Sequence, residues 1–150
     1  MTGKQKRIGK VIVHREKELD RRVADLGKAR AETERVESAL ESERQKLERA
    51  AAEREAMQTG PMSAADWREA NEWLESRART HAAVTRELER ATQQVEQTKV
   101  GVLTARRALK GVEMYEARLK ADVQKAEDKA DQKLQDDLAR SRTSAKRSKS

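Results

Sequence analysis

His14 and His81 are the only imidazoles in this chain of 150 residues, and it has no cysteine. Neither histidine has a second His or a Cys at the spacing that metal ligation needs, so no metal centre is expected. Gly-Lys occurs three times, beginning at Gly3, Gly9 and Gly27. It never falls inside the Gly-x4-Gly-Lys-Ser/Thr loop whose backbone amides cradle a nucleotide's phosphates. Asp and Glu together number 27, so paired carboxylates arise everywhere by abundance, and no pattern builds a pocket around any pair. No catalytic or cofactor-binding residue is assigned, and the chain reads as a non-enzyme with no cofactor. The chemistry that remains is that of surfaces, charge and apolar stripes.

Charge is sorted along the chain. Residues 1–17 hold six Lys or Arg against one Glu, and residues 138–150 hold five Lys or Arg and no acid. The whole carries +7, so the long middle is mildly acidic. A basic end favours acidic protein surfaces, anionic lipid or nucleic acid. The absence of cysteine excludes disulfides and suits a reducing cytoplasm. No apolar run approaches the roughly 20 residues of a membrane-spanning helix. The start of the chain clusters only Val11, Ile12 and Val13, so no secretory signal is expected.

Composition and periodicity say what must position these surfaces. Charged residues make up 41% of the chain, and its aromatics are two Trp, one Tyr and no Phe. That is too little for a layered globular core and enough for a helix–helix seam. One seven-residue ladder runs Ile12, Leu19, Leu26, Thr33, Leu40, Leu47, Arg54, and another runs Trp67, Leu74, His81, Leu88, Val95, Val102, Leu109. Paired outward from Gly60-Pro61, every couple has the same sum of position numbers, which is what two helices folded back on one another require. Thr59-Gly60-Pro61 should stop the first helix, with Gly tolerating the cap conformation and Pro unable to continue the ladder. Ser63-Ala64-Ala65-Asp66 has the form of a capping box, with Met62 and Trp67 placed as a hydrophobic staple. The expected fold is all-α: a two-helix antiparallel coiled-coil hairpin with a longer second helix. Helix 1 covers about 4–58, the turn 59–63 and helix 2 about 64–140, with a disordered basic tail over 141–150.

The second helix interleaves a further ladder: Ala70, Arg77, Val84, Ala91, Thr98, Ala105, Val112, Leu119, Ala126. The first helix reads as poorer. Its alternate seam positions include Val23 and Ala51 but also Glu16, Arg30, Glu37 and Arg44, and Arg44 would face Arg77. By the shared register residue 119 pairs with residue 2, so the helix beyond about Leu119 has no intramolecular partner. Yet Leu119, Val123, Ala126, Ala130 and Leu134 continue an apolar stripe, which marks a docking surface. His81 lies in the seam opposite Leu40, whereas Trp73 lies outside it, and a large exposed aromatic favours an interface. Gly101 and Gly111 each cost the second helix about 1 kcal/mol of propensity relative to Ala, and are read either as places for a partner's close approach or as simple weak points.

Two stretches carry a resemblance to a known family: Ser63-Ala64-Ala65-Asp66-Trp67-Arg68-Glu69-Ala70-Asn71-Glu72-Trp73-Leu74, and Arg106-Arg107-Ala108-Leu109-Lys110-Gly111-Val112-Glu113-Met114-Tyr115. With the basic first helix, mid-chain break and longer second helix, essentially the whole chain resembles the FliJ/YscO-type stalk proteins of flagellar and type III secretion export ATPases. That resemblance implies a cytoplasmic two-helix coiled coil similar to the central shaft of rotary ATP synthases, peripheral to the inner-membrane secretion apparatus. The end with both termini would insert into a hexameric export ATPase, and the hinge side would reach the membrane-embedded export gate; some members also handle export chaperones. Here Arg15, Lys17, Leu119, Val123, Ala126, Ala130 and Arg140 would dock the ATPase. Leu74 and His81, seven apart, would meet the gate together with Trp73, although the aromatic and alanine that usually accompany such a pair appear as Ala70 and Arg77.

A different class of function, a basic coiled-coil protein binding nucleic acid or anionic membrane, draws support from a pI near 9.8. Against it stands the lack of a continuous basic stripe or an aromatic stacking set, so nucleic acid is not the expected partner. Outside its complex the chain is expected to be a monomer. Spin labels at Leu26 and Val95 should then lie about 10–15 Å apart within one chain, the spacing of one seam layer. A separation of several tens of ångströms, measured by pulsed EPR, would show one continuous helix pairing with a second chain.

Overall fold

A computed structural model describes residues 2–148, and two helices account for nearly all of them: α1, Gly3–Met57, and α2, Ala64–Ser148. They pack against each other as an all-α helical hairpin in which α2 is the longer, 85 residues against 55. Each terminus follows from local chemistry. Thr2 and Gln5 form a reciprocal cap at the start of α1, the Gln5 amide donating to Thr2 Oγ1 at 3.2 Å and the Thr2 amide to Gln5 Oε1 at 2.8 Å. At its end the chain tightens into i→i+3 bonds: the Gln58 amide donates to Glu55 O at 3.1 Å, and the Thr59 hydroxyl donates to Ala56 O at 2.8 Å. No glycine among the described residues has a positive φ. Gly60 therefore does not supply the left-handed cap expected of it; the tightened turn, the Thr59 hydroxyl and Pro61 stop the helix instead. Ser63 Oγ accepts from the Asp66 amide at 3.1 Å, and Asp66 places a negative charge on the first turn of α2.

The chain divides into two compact units, Leu19–Ala105 and the pair of segments Met1–Glu18 and Arg106–Ser150. The first unit contains the turn. In it, Leu26, Ala29, Thr33, Val36, Leu40, Glu43, Leu47, Ala50 and Arg54 form a continuous covered stripe on α1 at alternating spacings of three and four. Two contacts set its register against α2. The Arg54 guanidinium lies over the Trp67 ring at 5.0 Å, and Arg77 Nη1 lies 3.6 Å from Glu43 Oε2. By that register Val36 faces Val84, while Ala29 and Ala50 face Ala91 and Ala70. Alanine layers let the helix axes come close.

This stripe corrects the sequence reading of the first helix. Glu16, Val23, Arg30, Glu37, Arg44 and Ala51 are all exposed. The seam instead takes the positions three residues after the ladder, which hold Ala29, Val36 and Ala50 and only one charge. Arg44 does not face Arg77: it turns outward, donates to Glu41 Oε2 at 2.9 Å and pairs with Glu48 on its own helix. The layer opposite Arg77 holds Glu43, so a supposed repulsion is an attraction.

In the second unit Ile8 is buried, and Ile12, Leu109, Val112, Leu119 and Val123 are half-buried. Leu119 and Val123 are therefore partly covered, where the reading left them without a partner. From Gln124 to Ser148 every described residue is exposed. The helix also runs on through Ser148, past the point where a disordered tail was expected to begin. Alanines sustain it, and Lys146 and Arg147 in the last turn complement the helix dipole. Lys149 and Ser150, also part of that expected tail, lie outside the described residues.

Among the described residues of the chain no backbone comes close to the glycines inside α2. A Cβ at Gly101 would meet the Arg22 side chain at 3.6 Å, an ordinary contact, and one at Gly111 would meet nothing within 4 Å. Gly111→Ala should stabilise the chain by about 1 kcal/mol through helix propensity alone.

The corrected seam makes a sharp prediction. Val36 is 2% exposed and Val23 is 45% exposed. Val36→Ala should cost about 2 kcal/mol, from two lost methyl groups and the space they leave, while Val23→Ala should stay within about 0.5 kcal/mol. Urea denaturation of the two variants checks this, and the opposite ranking would restore the original seam.

Candidate partner-docking surfaces

Near the turn, within the first unit, α1 and α2 border a groove of about 660 Å³. Its apolar lining comes from Ala50 and Met57 on α1 and Ala70 and Trp73 on α2, with Glu53, Arg54, Asp66, Glu69, Glu72 and Ser76 around them. The helices put these side chains together for a simple reason. Positions 50, 54 and 57 lie on one face of α1, and 66, 69, 70, 73 and 76 on one face of α2. Two arginines brace the site from the seam side: Arg54 stacks on Trp67, and Arg77 lies 4.7 Å over the ring of Trp73. Trp73 nonetheless stays 52% exposed.

The residues assigned to an export-gate contact are thereby separated. Trp73 opens onto solvent and lines the groove. Leu74 and His81 are half-buried members of the seam. They support the surface from beneath, with only part of each side chain open to a partner. The sequence reading missed Met57 and the acidic group around Trp73. The signal was available, since positions 66, 69, 70 and 73 share a face once the capping box fixes where α2 begins.

Arg77 holds a polar layer inside the seam. Its guanidinium reaches Glu43, whose other oxygen takes Lys46 Nζ at 3.2 Å. The Glu43 and Arg77 side chains are only 14% and 21% exposed, and Arg77 Nε and Glu43 Oε2 make no hydrogen bond. A shielded pair held at ion-pair distance without a hydrogen bond is a modest source of stability, but removing one partner strands the other. The exposed pairs differ: Arg35 and Arg44 hydrogen-bond Glu32 and Glu41 within α1, which holds both carboxyls below the usual carboxylate range. At this exposure such pairs contribute little to the tertiary fold.

The second candidate surface belongs to the other unit. Arg15 and Lys17 are exposed on α1, and Ala126, Ala130 and Arg140 are exposed on α2, beyond the half-buried Leu119 and Val123. These residues do not form one tight cluster. Leu119 and Arg140 are about 30 Å apart along the helix at 1.5 Å per residue. The expected stripe includes Leu134, which is 61% exposed, and Leu138, 52% exposed, follows it. The arrangement is an extended strip, apolar in part and ending in Arg140, Arg142, Lys146 and Arg147.

Among the described residues no group of three His, Asp or Glu side chains is placed to hold a metal ion, and no helix is long and apolar enough to cross a membrane. The sequence matches the family model for the flagellar FliJ protein over residues 4–148, nearly the whole chain. The chain belongs to the flagellar FliJ protein family. No curated protein and no solved structure matches it. As a member of the FliJ family it is a flagellar-export protein, associated with the export apparatus.

The polar layer can be tested apart from any partner. Arg77→Ala should destabilise the chain by about 1–2 kcal/mol by leaving the shielded Glu43 with Lys46 as its remaining cation, whereas the double substitution Glu43→Leu/Arg77→Leu should be neutral or stabilising. Thermal and urea unfolding of the single and double variants checks this.

Proposed function

We propose that this FliJ-family chain is the non-enzymatic central stalk of a hexameric export ATPase, coupling that ATPase to the membrane export gate. In this reading it works in the cytoplasm at the inner-membrane secretion apparatus, as a monomer outside the complex, and handles export chaperones as a further task. The observation that supports it most is the exposed run of α2. All described residues from Gln124 to Ser148 are exposed, yet the helix keeps Ala126, Ala130, Leu134 and Leu138 on offer. A lone helix with a periodic apolar strip gains stability when something surrounds it. The loops of a ring-shaped pore have the geometry to do so.

Charge supports the direction of insertion. Arg15, Lys17, Arg140, Arg142, Lys146 and Arg147 belong to one unit. Acidic loops at a pore entrance would steer that unit in, accelerating encounter more than they tighten the final complex. Leu119, Val123, Ala126 and Ala130 would then make the lasting apolar contacts. Trp73, with Leu74 and His81 beneath it, would face the export gate from the hinge side. Hydrolysis belongs to the ATPase, and the stalk contributes contacts whose strength differs between states of the ring.

Truncation after Lys125 tests the assignment, because it removes only residues that are exposed in the free chain. The truncated chain should keep its helical hairpin and unfold within about 0.5 kcal/mol of the full chain, yet lose stimulation of the cognate export ATPase. Full stimulation by the truncated chain would move the docking end to the hinge.

A further inference from the structure

The groove at the turn has a chemistry of its own. Its floor is apolar, from Ala50, Met57, Ala70 and Trp73, while Glu53 stands on the α1 side and Asp66, Glu69 and Glu72 on the α2 side. Among the described residues none of these four carboxylates forms an ion pair. The one basic residue lining the groove, Arg54, is stacked over Trp67. In a chain carrying +7 overall, this is a local negative surface around an exposed tryptophan and methionine.

We infer that this groove is a binding site for a basic amphipathic helix of a partner protein, whose apolar face packs on Met57 and Trp73 while its lysines or arginines meet Glu53, Asp66, Glu69 and Glu72. Three observations select that occupant. The unpaired carboxylates sit on both walls, so a helix lying between them meets negative charge along both flanks. The groove's volume and open apolar floor suit the side chains of one helical face rather than a small enclosed ligand. The aromatic Trp73 and flexible Met57 are residue types that anchor helix faces and adapt to them. Phosphate-bearing partners are disfavoured by the same four charges. The inference shares Trp73 with the export-gate reading but does not depend on the ATPase-coupling role.

The test measures binding of two labelled peptides to the full-length chain by fluorescence anisotropy. One is a short amphipathic peptide with leucines on one face and lysines along its flanks. The other has glutamate in place of every lysine. The lysine peptide should bind at least about tenfold more tightly, with an affinity that falls as salt rises. Glu69→Lys/Glu72→Lys should weaken the lysine peptide about tenfold or more and raise affinity for the glutamate peptide. Trp73→Ala should weaken the lysine peptide as well. Far-UV circular dichroism verifies the variants, and if the charge reversal disturbs the helices, Glu69→Gln/Glu72→Gln serves with the same expected direction. Equal binding of the two peptides, or binding unaffected by these substitutions, overturns the proposal. So does concentration-dependent self-association of the chain that the Glu69/Glu72 substitutions abolish, which would give the groove to the basic end of a second copy. In either case the effect of the Lys125 truncation on the ATPase is unchanged, so the two readings fail separately.

Discussion

The protein depends on one constraint: a long helix in water needs a neighbour to cover its apolar stripe, and among the described residues that neighbour is the other helix. Every layer of that contact must satisfy two sequences at once. The register set by Arg54 on Trp67 and by Glu43 against Arg77 brings alanine to alanine, valine to valine and acid to base. A shift of one heptad would move these partners apart and expose the apolar couples to charged ones. The single polar layer thus does more to select the register than to strengthen the pair.

The same constraint decides which surfaces stay open. Along the paired stretch Val100, Leu103, Met114 and Tyr115 remain exposed. Where coverage ends, at the turn and beyond Val123, apolar side chains remain exposed: Met57 and Trp73 at one place, Leu134 and Leu138 at the other. The two surfaces have opposite charge. Four unpaired carboxylates surround the first, and four arginines and lysines end the second.

Much of this was legible in the sequence because heptads and caps are local signals. The ladders through Leu26 and Val95, the break at Gly60-Pro61 and the Ser63 cap all follow from spacing and residue type. The second ladder of α1 was harder to read. Offsets of three and four after Leu26 both satisfy a coiled coil, and only comparison of the two sets favours Ala29, Val36 and Ala50 over Arg30, Glu37 and Ala51. Arg77 misled because its partner was sought one residue away from Glu43. The helical run to Ser148 was obscured by serine and basic residues, which lower helix propensity only slightly. The acidic groove escaped because its members are far apart in sequence on two helices. It becomes visible only when Glu53 and Glu69 are placed across one gap.

Hydrogen exchange followed by mass spectrometry, on the chain alone and with its cognate export ATPase, tests the central claim that the uncovered end of α2 is where the ATPase docks. In the free chain, amides beyond Gln124 should exchange far faster than those of the seam between Leu26 and Val102, because no tertiary contact holds that stretch. With the ATPase bound, the account predicts new protection from Leu119 through Arg147, while the groove around Trp73 keeps its free-state exchange. New protection confined to residues 53–76, with none beyond Leu119, would contradict it.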